Sequence, residues 1–324
     1  MKALMCEAFG PIENLTLKEV PSPVPGPRQV LIEVKSAAVN FPDALMVQGL
    51  YQIKPPLPFS PGAEIAGVVK ALGSEVKRLA VGDKVIAMLG HGGFAEECVA
   101  EAFNVMPLPA GMDFDMGAAL VLTYCTSLHG LKDCGALKAG ETLVVLGAAG
   151  GVGVAAIEIG KIMGARVIAA ASSEEKLALC RKLGADETIN YSTENLKDRI
   201  TELTGGKGAD VVYDPVGGAY TEAAIRALGW RGRLVVVGFA AGEIPKIAIN
   251  LTLLKERSIV GVYWGDSVKH DPMGHMANVQ QLNEWFAAGK IKPVVSERFS
   301  LEQAKEAITY IANRKVLGKI VVVP

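Results

Sequence analysis

The 324-residue chain holds only five cysteines, Cys6, Cys98, Cys125, Cys134 and Cys180, and no C-x-x-C pair. An odd, widely spaced set excludes a disulfide framework. It reads as small apolar core residues in a reducing compartment, with the cytoplasm the simplest choice. Histidine is scarcer still: His91, His129, His270 and His275, with no ligand spacing among them. A zinc site needs three or four converging N, S or O ligands, so no metal is expected. Mean hydropathy is +0.30, yet no apolar run reaches the roughly 18 residues of a membrane span. A net charge of −1 leaves neither the basic footprint of a nucleic-acid binder nor a polybasic membrane patch. The segment from Met1 to Glu7 lacks the apolar stretch of a secretory signal and alternates like a strand.

Half of the residues are hydrophobic and 21% are charged, the profile of a globular protein long enough for two domains. The first 120 or so read as β-rich, with strands over 30–39, 65–72 and 84–88 separated by Pro- and Gly-rich turns. Short strands with frequent turns suggest a partly closed barrel or sandwich. A helical run over 116–131 follows, and from Glu141 strands and helices alternate. Strands are expected over 143–146, 166–171, 187–189, 211–213, 233–237 and 259–263. Helices are expected over 152–163, 174–183, 196–203 and 220–228. This is an α/β, doubly wound parallel sheet in sequence form. Regularity breaks at Gly265-Asp266-Ser267, and the tail from 266 to 324, with no nucleotide signature of its own, is expected to rejoin the first domain. The β-rich domain is therefore 1–122 with 266–324, and the nucleotide domain 123–265.

The first strand of the alternating region runs into Gly147-Ala148-Ala149-Gly150-Gly151-Val152-Gly153, with a helix directly behind it. That order brings backbone N–H groups to a pyrophosphate at a helix N-terminus. Ala148 stands where the first glycine of G-x-G-x-x-G belongs, while Gly150 and Gly153 fill the other places. The same glycines also serve close packing of helix on strand; the alternation downstream is what favours a dinucleotide. An NAD site offers Asp or Glu at the tip of the second strand, for the ribose 2′-hydroxyl. Here the tip reads Ala169-Ala170-Ala171-Ser172-Ser173, and Lys176 follows on the next helix. A hydroxyl and a lysine suit a 2′-phosphate, so NADPH is expected. Against this, Ser172-x-x-Glu175 is also a capping box, and Glu174 or Glu175 can take the ribose role.

These segments together resemble the zinc-free quinone oxidoreductases of the medium-chain dehydrogenase/reductase superfamily. The resemblance covers essentially the whole chain. It rests on Ala38-Val39-Asn40-Phe41-Pro42-Asp43, Pro61-Gly62-Ala63-Glu64-Ile65-Ala66-Gly67, Val81-Gly82-Asp83-Lys84-Val85, and the glycine turn with its alanine. Gly184-Ala185-Asp186, Ile189-Asn190-Tyr191, Asp214-Pro215-Val216-Gly217-Gly218 and Gly318-Lys319-Ile320-Val321 complete it. It implies a GroES-like catalytic domain beside a Rossmann domain, a homodimer, and a 2′-phosphate held by Lys176, Tyr191 and Arg314. Cofactor contacts are expected from Asn40, Thr123, Ala149, Gly150, Gly151, Val152, Ser172, Val216, Gly238, Phe239 and Ala240. Zinc-dependent relatives place a cysteine and a Gly-His-Glu histidine where this chain has Asn40 and Ala63, which rules out that ligand set.

Metal-free hydride transfer suits a quinone or an activated C=C bond, both electrophilic without a Lewis acid. Asn40, Asp43 and Tyr51 are the catalytic candidates, Tyr51 as the nearby phenol able to donate to a reduced oxygen. The expected activity is NADPH-dependent reduction of a quinone. The alternatives are reduction of α,β-unsaturated carbonyls or enoyl thioesters, or a low-activity NADPH-binding protein. No nucleic acid or membrane partner is expected, and the segment 247–251 is expected to offer an edge strand to a second copy.

Overall fold

A computed structural model describes all 324 residues, which divide into two compact units: Met1–Leu122 with Pro293–Pro324, and Thr123–Lys292. In the first unit, β1 (Lys2–Met5) and β2 (Thr16–Glu19) form an antiparallel ribbon. Then come β3 (Gln29–Ala38), α1 (Phe41–Val47), β4 (Glu64–Leu72), β5 (Lys84–Met88), β6 (Glu97–Glu101) and β7 (Val105–Pro107). Helix α2 (Phe114–Leu128) carries the chain from the first unit into the second.

The second unit contains β8 (Thr142–Leu146), α3 (Gly151–Ile162), β9 (Arg166–Ala171), α4 (Glu174–Lys182), β10 (Glu187–Asn190) and α5 (Leu196–Leu203). It continues with β11 (Ala209–Asp214), α6 (Ala219–Ala227), β12 (Leu228–Val236), α7 (Asn250–Leu253), β13 (Ser258–Gly261), α8 (Trp264–His270) and α9 (Pro272–Ala287). The first unit closes with β14 (Val295–Ser300), α10 (Ala304–Ala312) and β15 (Lys319–Val323).

The second unit is built on a six-stranded parallel sheet in the order β10-β9-β8-β11-β12-β13, doubly wound as the strand–helix alternation demanded. Its central strands read as continuous apolar runs because helices cover both faces; Leu143, Val144, Val145 and Leu146 are all fully buried. Chain order reverses between β8 and β11, and in such sheets ligands bind beyond the carboxyl ends of the strands at that switch. The first unit is a seven-stranded mixed sheet, β14-β15-β3-β4-β5-β7, with β6 also paired to β3. Strand β3 is its spine, with Val30, Ile32, Ala37 and Ala38 fully buried.

Some sequence expectations shift. Residues 266–292, expected with the first domain, fall in the second unit, where α9 is tied by side chains. Asn278 donates to Asp133 at 2.9 Å and accepts from Lys132 at 2.8 Å. Gly265-Asp266-Ser267 lies inside α8 and is not a break. Residues 247–251 form no strand: the segment leads into the short helix α7, and the sheet edge is β13 instead.

Candidate functional site

The glycine turn connects β8 to α3 at the carboxyl end of the sheet. Gly147 has φ +55, and a Cβ there would meet Cγ2 of Val216 at 2.8 Å. Gly153 is more constrained: its Cβ would lie 2.5 Å from the Gly147 carbonyl oxygen and 2.7 Å from Ala148 backbone carbons. Only hydrogen fits, so this glycine sets how closely the helix approaches the strand. Ala148 donates its N–H to the Ala170 carbonyl at 3.0 Å and is buried, which explains why a small side chain is acceptable at the first motif position. Helix α3 begins after Gly150 without any side-chain cap. Its first amides and the positive end of its dipole are therefore open to an anion. Ala149 is buried, while Gly150, Gly151 and Val152 are half-buried along the mouth of the turn.

Behind the turn lies a polar network that sequence reasoning missed. Ser127 donates to the Val152 carbonyl at 2.9 Å and shares a 2.9 Å hydrogen bond with the Tyr213 hydroxyl. Thr123 is buried four residues earlier on the same helix. Tyr124 donates to Glu158 at 2.5 Å, and the Lys292 amide reaches the other Glu158 oxygen at 3.2 Å. Burial pushes the Glu158 carboxyl up to about 7, against both hydrogen bonds. A glutamate and two tyrosines in otherwise apolar segments carried no periodic signal that they would meet.

At the tip of β9, Ser173 and not Ser172 caps α4, accepting the Lys176 amide. The Ser172 hydroxyl is thereby released from the expected capping box and instead receives the Lys176 ammonium at 3.2 Å. Strand β10 ends in register with β9, Asn190 beside Ala171, and this carries Tyr191 to the same corner. The Tyr191 amide donates to Ala171 at 3.1 Å, Ser192 donates to the Ser172 carbonyl at 3.0 Å, and the Tyr191 ring lies 4.5 Å from that of Tyr220. Glu174 is paired with Arg181 and Glu175 is exposed. Ser172, Lys176 and Tyr191 thus share one end of the sheet, and Glu174 is committed elsewhere.

On the other side of the switch, Asp214 organises the Pro215-Val216-Gly217-Gly218 turn. One of its oxygens accepts the Val216 and Gly217 amides, each at 2.9 Å, and the other accepts the Thr221 hydroxyl at 2.8 Å. The turn is then zipped to the loop after β12, with Ala240 donating to Pro215 at 3.0 Å and Ala241 to Val216 at 2.7 Å. Val216, Gly238, Phe239 and Ala240 are brought together in this way. Asp214, quoted only as part of a motif, is the residue that fixes them.

In the first unit, Asn40 and Asp43 sit where β3 enters α1, both buried. Asp43 accepts the Asn40 amide at 2.7 Å and the Gly62 amide at 3.1 Å, and burial pushes its carboxyl up to about 7. The Asn40 side chain is held at both ends: its oxygen accepts the Lys319 ammonium, and its amide nitrogen donates to Glu64 at 3.1 Å and to the Ala38 carbonyl at 3.4 Å. Lys319 also contacts Glu64 at 3.1 Å and the Val39 carbonyl at 3.2 Å, and the second Glu64 oxygen accepts the Leu122 amide at 2.9 Å. Glu64 and Lys319 were visible only as members of longer motifs; no local pattern joins residues that far apart. Tyr51 is half-buried and packs on the core of this unit. Arg314 is exposed just after α10 with φ +59, a left-handed helix end. No group of three or more His, Cys, Asp or Glu side chains that could hold a metal ion comes together in the chain.

Residues 26–110 match the alcohol dehydrogenase GroES-like domain family, and residues 151–281 the zinc-binding dehydrogenase family. The chain is 42% identical over 300 residues to a "Quinone oxidoreductase-like protein 2 homolog" of Nematostella vectensis, covering 92% of this chain and 82% of that one. It is 36% identical over 326 residues to a "Quinone oxidoreductase" of Pseudomonas aeruginosa, covering 100% and 99% of the two chains. Among solved structures, the quinone oxidoreductase of Escherichia coli complexed with NADPH superposes over the full length of both chains, with a TM-score of 0.92 at 28% identity.

Proposed function

We propose, for a chain that belongs to the quinone oxidoreductase branch of the medium-chain dehydrogenase/reductase superfamily and is an oxidoreductase of that family, that it uses NADPH to reduce a quinone. The observation that carries the cofactor choice is the corner at the tip of β9. There the Lys176 ammonium rests on the Ser172 hydroxyl, 3.2 Å away, with Tyr191 tied alongside. A cation and hydroxyls favour a 2′-phosphate, and Glu174, one of the two carboxylates nearby, is paired with Arg181. The uncapped α3 N-terminus fits the pyrophosphate, and the small residues at 147–153 let backbone amides approach it.

Bound NADPH supplies the hydride. The protein positions and desolvates: Val216 and the 238–240 loop, fixed through Asp214, form one wall, and Thr123 lies buried on α2. Asn40 and Asp43 are assigned to hold the β3–α1 corner, since their polar atoms are engaged within their own unit. Tyr51 is assigned as donor to the reduced oxygen, and Arg314 as a further cation toward the 2′-phosphate, both on the family resemblance.

The proposal includes a homodimer formed through the edge strand β13. Ile259 on that strand is 44% exposed, and Ile249, Leu253 and Tyr263 nearby are more so. An open strand edge with apolar flanks is the pattern a second copy covers. Light scattering should give twice the 34.1 kDa chain mass; a monomer would refute this part.

Steady-state turnover with NADPH and NADH against 1,4-naphthoquinone and a 2-enal tests the reaction. A kcat/KM at least about tenfold higher with NADPH, and higher with the quinone than the enal, is expected. A tenfold ratio is about 1.4 kcal/mol of discrimination. No turnover with either acceptor would sink the reading.

A further inference from the structure

The residues between α2 and β8 form a single π-helical turn, His129–Cys134, closed by the Gly135 amide donating to the Gly130 carbonyl at 2.8 Å. Such turns are rare and concentrate at functional sites. Its wider turn brings His129 to Cys134, five residues on, as well as to Asp133 at the ordinary helical spacing of four. His129 Nδ1 lies 2.9 Å from Asp133, and Nε2 lies 3.4 Å from the Cys134 sulfur. Asn278 on α9 donates to the same Asp133 oxygen at 2.9 Å, and Lys132 donates to Asn278 at 2.8 Å. His275, one turn before Asn278, keeps Nδ1 buried without a partner, and burial and the charge on His129 lower its pKa. Arg233 anchors the end of the turn, donating to the Gly135 carbonyl at 2.8 Å.

This is the order nucleophile, base, orienting acid, with a fourth residue steadying the acid. Cys134 is half-buried, whereas Cys6, Cys98, Cys125 and Cys180 are buried. The hydrogen bond to Cys134 first, and then that to Asp133, raise His129 to about 9 against the effect of burial. These contacts favour the charged ring once it has taken a proton, and Nε2 faces the sulfur. Both ring nitrogens are occupied, which excludes metal ligation by His129. The Gly135 and Leu137 amides are committed to Gly130 and Leu131, so the segment after the cysteine lacks the pair of donors that acyl transfer uses.

We propose that Cys134 is a nucleophile activated by His129 and Asp133, and that it takes α,β-unsaturated carbonyl compounds as a covalent modification site separate from the nucleotide site. The thiol proton passes to His129 Nε2, and the resulting thiolate sulfur forms a bond to the β-carbon as the C=C π bond breaks. The electron pair moves to the α-carbon through the carbonyl, and the proton held at His129 Nε2 is delivered there. The product is a thioether, with no net oxidation or reduction. The inference stands on the π-turn and holds whether or not the chain reduces quinones.

The test uses the full-length folded protein and N-ethylmaleimide, with peptide mass spectrometry to time labelling of each cysteine at pH 7. Cys134 should be labelled first, at a rate about tenfold or more above that of N-acetylcysteine. A positioned acid–base group contributes roughly 10²–10⁴-fold, and the half-buried site offsets part of that. His129→Gln should reduce the rate at least tenfold. Asp133→Asn, which keeps shape and hydrogen bonding, should reduce it severalfold and move the pH midpoint of labelling. The two variants are independent, so a folding failure in one leaves the other decisive. Labelling no faster than N-acetylcysteine, or rates unchanged in whichever variant folds, would overturn the proposal.

Discussion

The Lys319 ammonium lies 3.1 Å from Glu64, with side chains 5% and 0% exposed and the two residues 255 positions apart in the chain. The pair occupies the base of the β3–α1 corner, where Asn40 and the Val39 carbonyl complete the lysine's hydrogen bonds and Leu122 completes those of the glutamate. Two charges removed from water are tolerated because each has a partner and its remaining bonds are made.

Removing one partner should therefore be costly. Lys319→Met should destabilise the protein by about 3–5 kcal/mol, the range for breaking a buried ion pair by removing one side. Urea unfolding measures it. Adding Glu64→Gln should recover part of the loss, because the orphaned charge is gone. A single-variant loss below about 1 kcal/mol would show that the pair does not hold the corner.

Reversing the charge at the β9 tip should separate the two nicotinamide cofactors. In Lys176→Glu a carboxylate replaces the cation beside Ser172. KM for NADPH should rise at least about tenfold, equivalent to losing one charge-assisted hydrogen bond of about 1.5–3 kcal/mol. KM for NADH should change little. Equal effects on both would remove Lys176 from the phosphate site.

Gly153→Ala inserts a methyl group where a backbone oxygen lies 2.5 Å from the ideal Cβ position. Helix α3 must move away from β8, at about 1–3 kcal/mol for overpacking. Cofactor affinity should fall more than stability, since the displaced element carries the anion-binding amides. Fluorescence titration with NADPH compared with the melting curve reads both. A variant with wild-type affinity would show that the turn tolerates the shift.

Glu158 gives stability a pH dependence opposite to that of a salt-bridged carboxylate. Below its unfolded value of 4.5 it is protonated in both states; between 4.5 and about 7 only the unfolded chain ionises. Folding then binds a proton, so stability declines as pH rises through this window and levels off above it. At 1.36 kcal/mol per unit, the total is roughly 3 kcal/mol. Asp43, raised from 3.8 to about 7, adds a decline of the same sign. The decline of urea midpoints across pH 5, 6, 7 and 8 should become shallower in Glu158→Gln, which keeps an acceptor for Tyr124, with the Asp43 contribution remaining. An unchanged slope would assign the titration elsewhere.

Sequence alone determined the strand–helix alternation, the glycine turn and the absence of zinc ligands, because each is written in local period, spacing or residue type. Apolar runs buried on both faces specify parallel strands, and Ala63 cannot ligate whatever surrounds it. The capping box read at Ser172-x-x-Glu175 does not form: Ser173 caps α4 with its hydroxyl alone, and Ser172 accepts the Lys176 ammonium instead. What only tertiary structure decided are the meetings of distant polar groups. Lys319 with Glu64, Ser127 with Tyr213, and Asn278 with Asp133 join residues that no helix or strand period relates. Buried polar atoms take partners wherever the packed fold presents them, and the choice is made by the desolvation each would otherwise suffer.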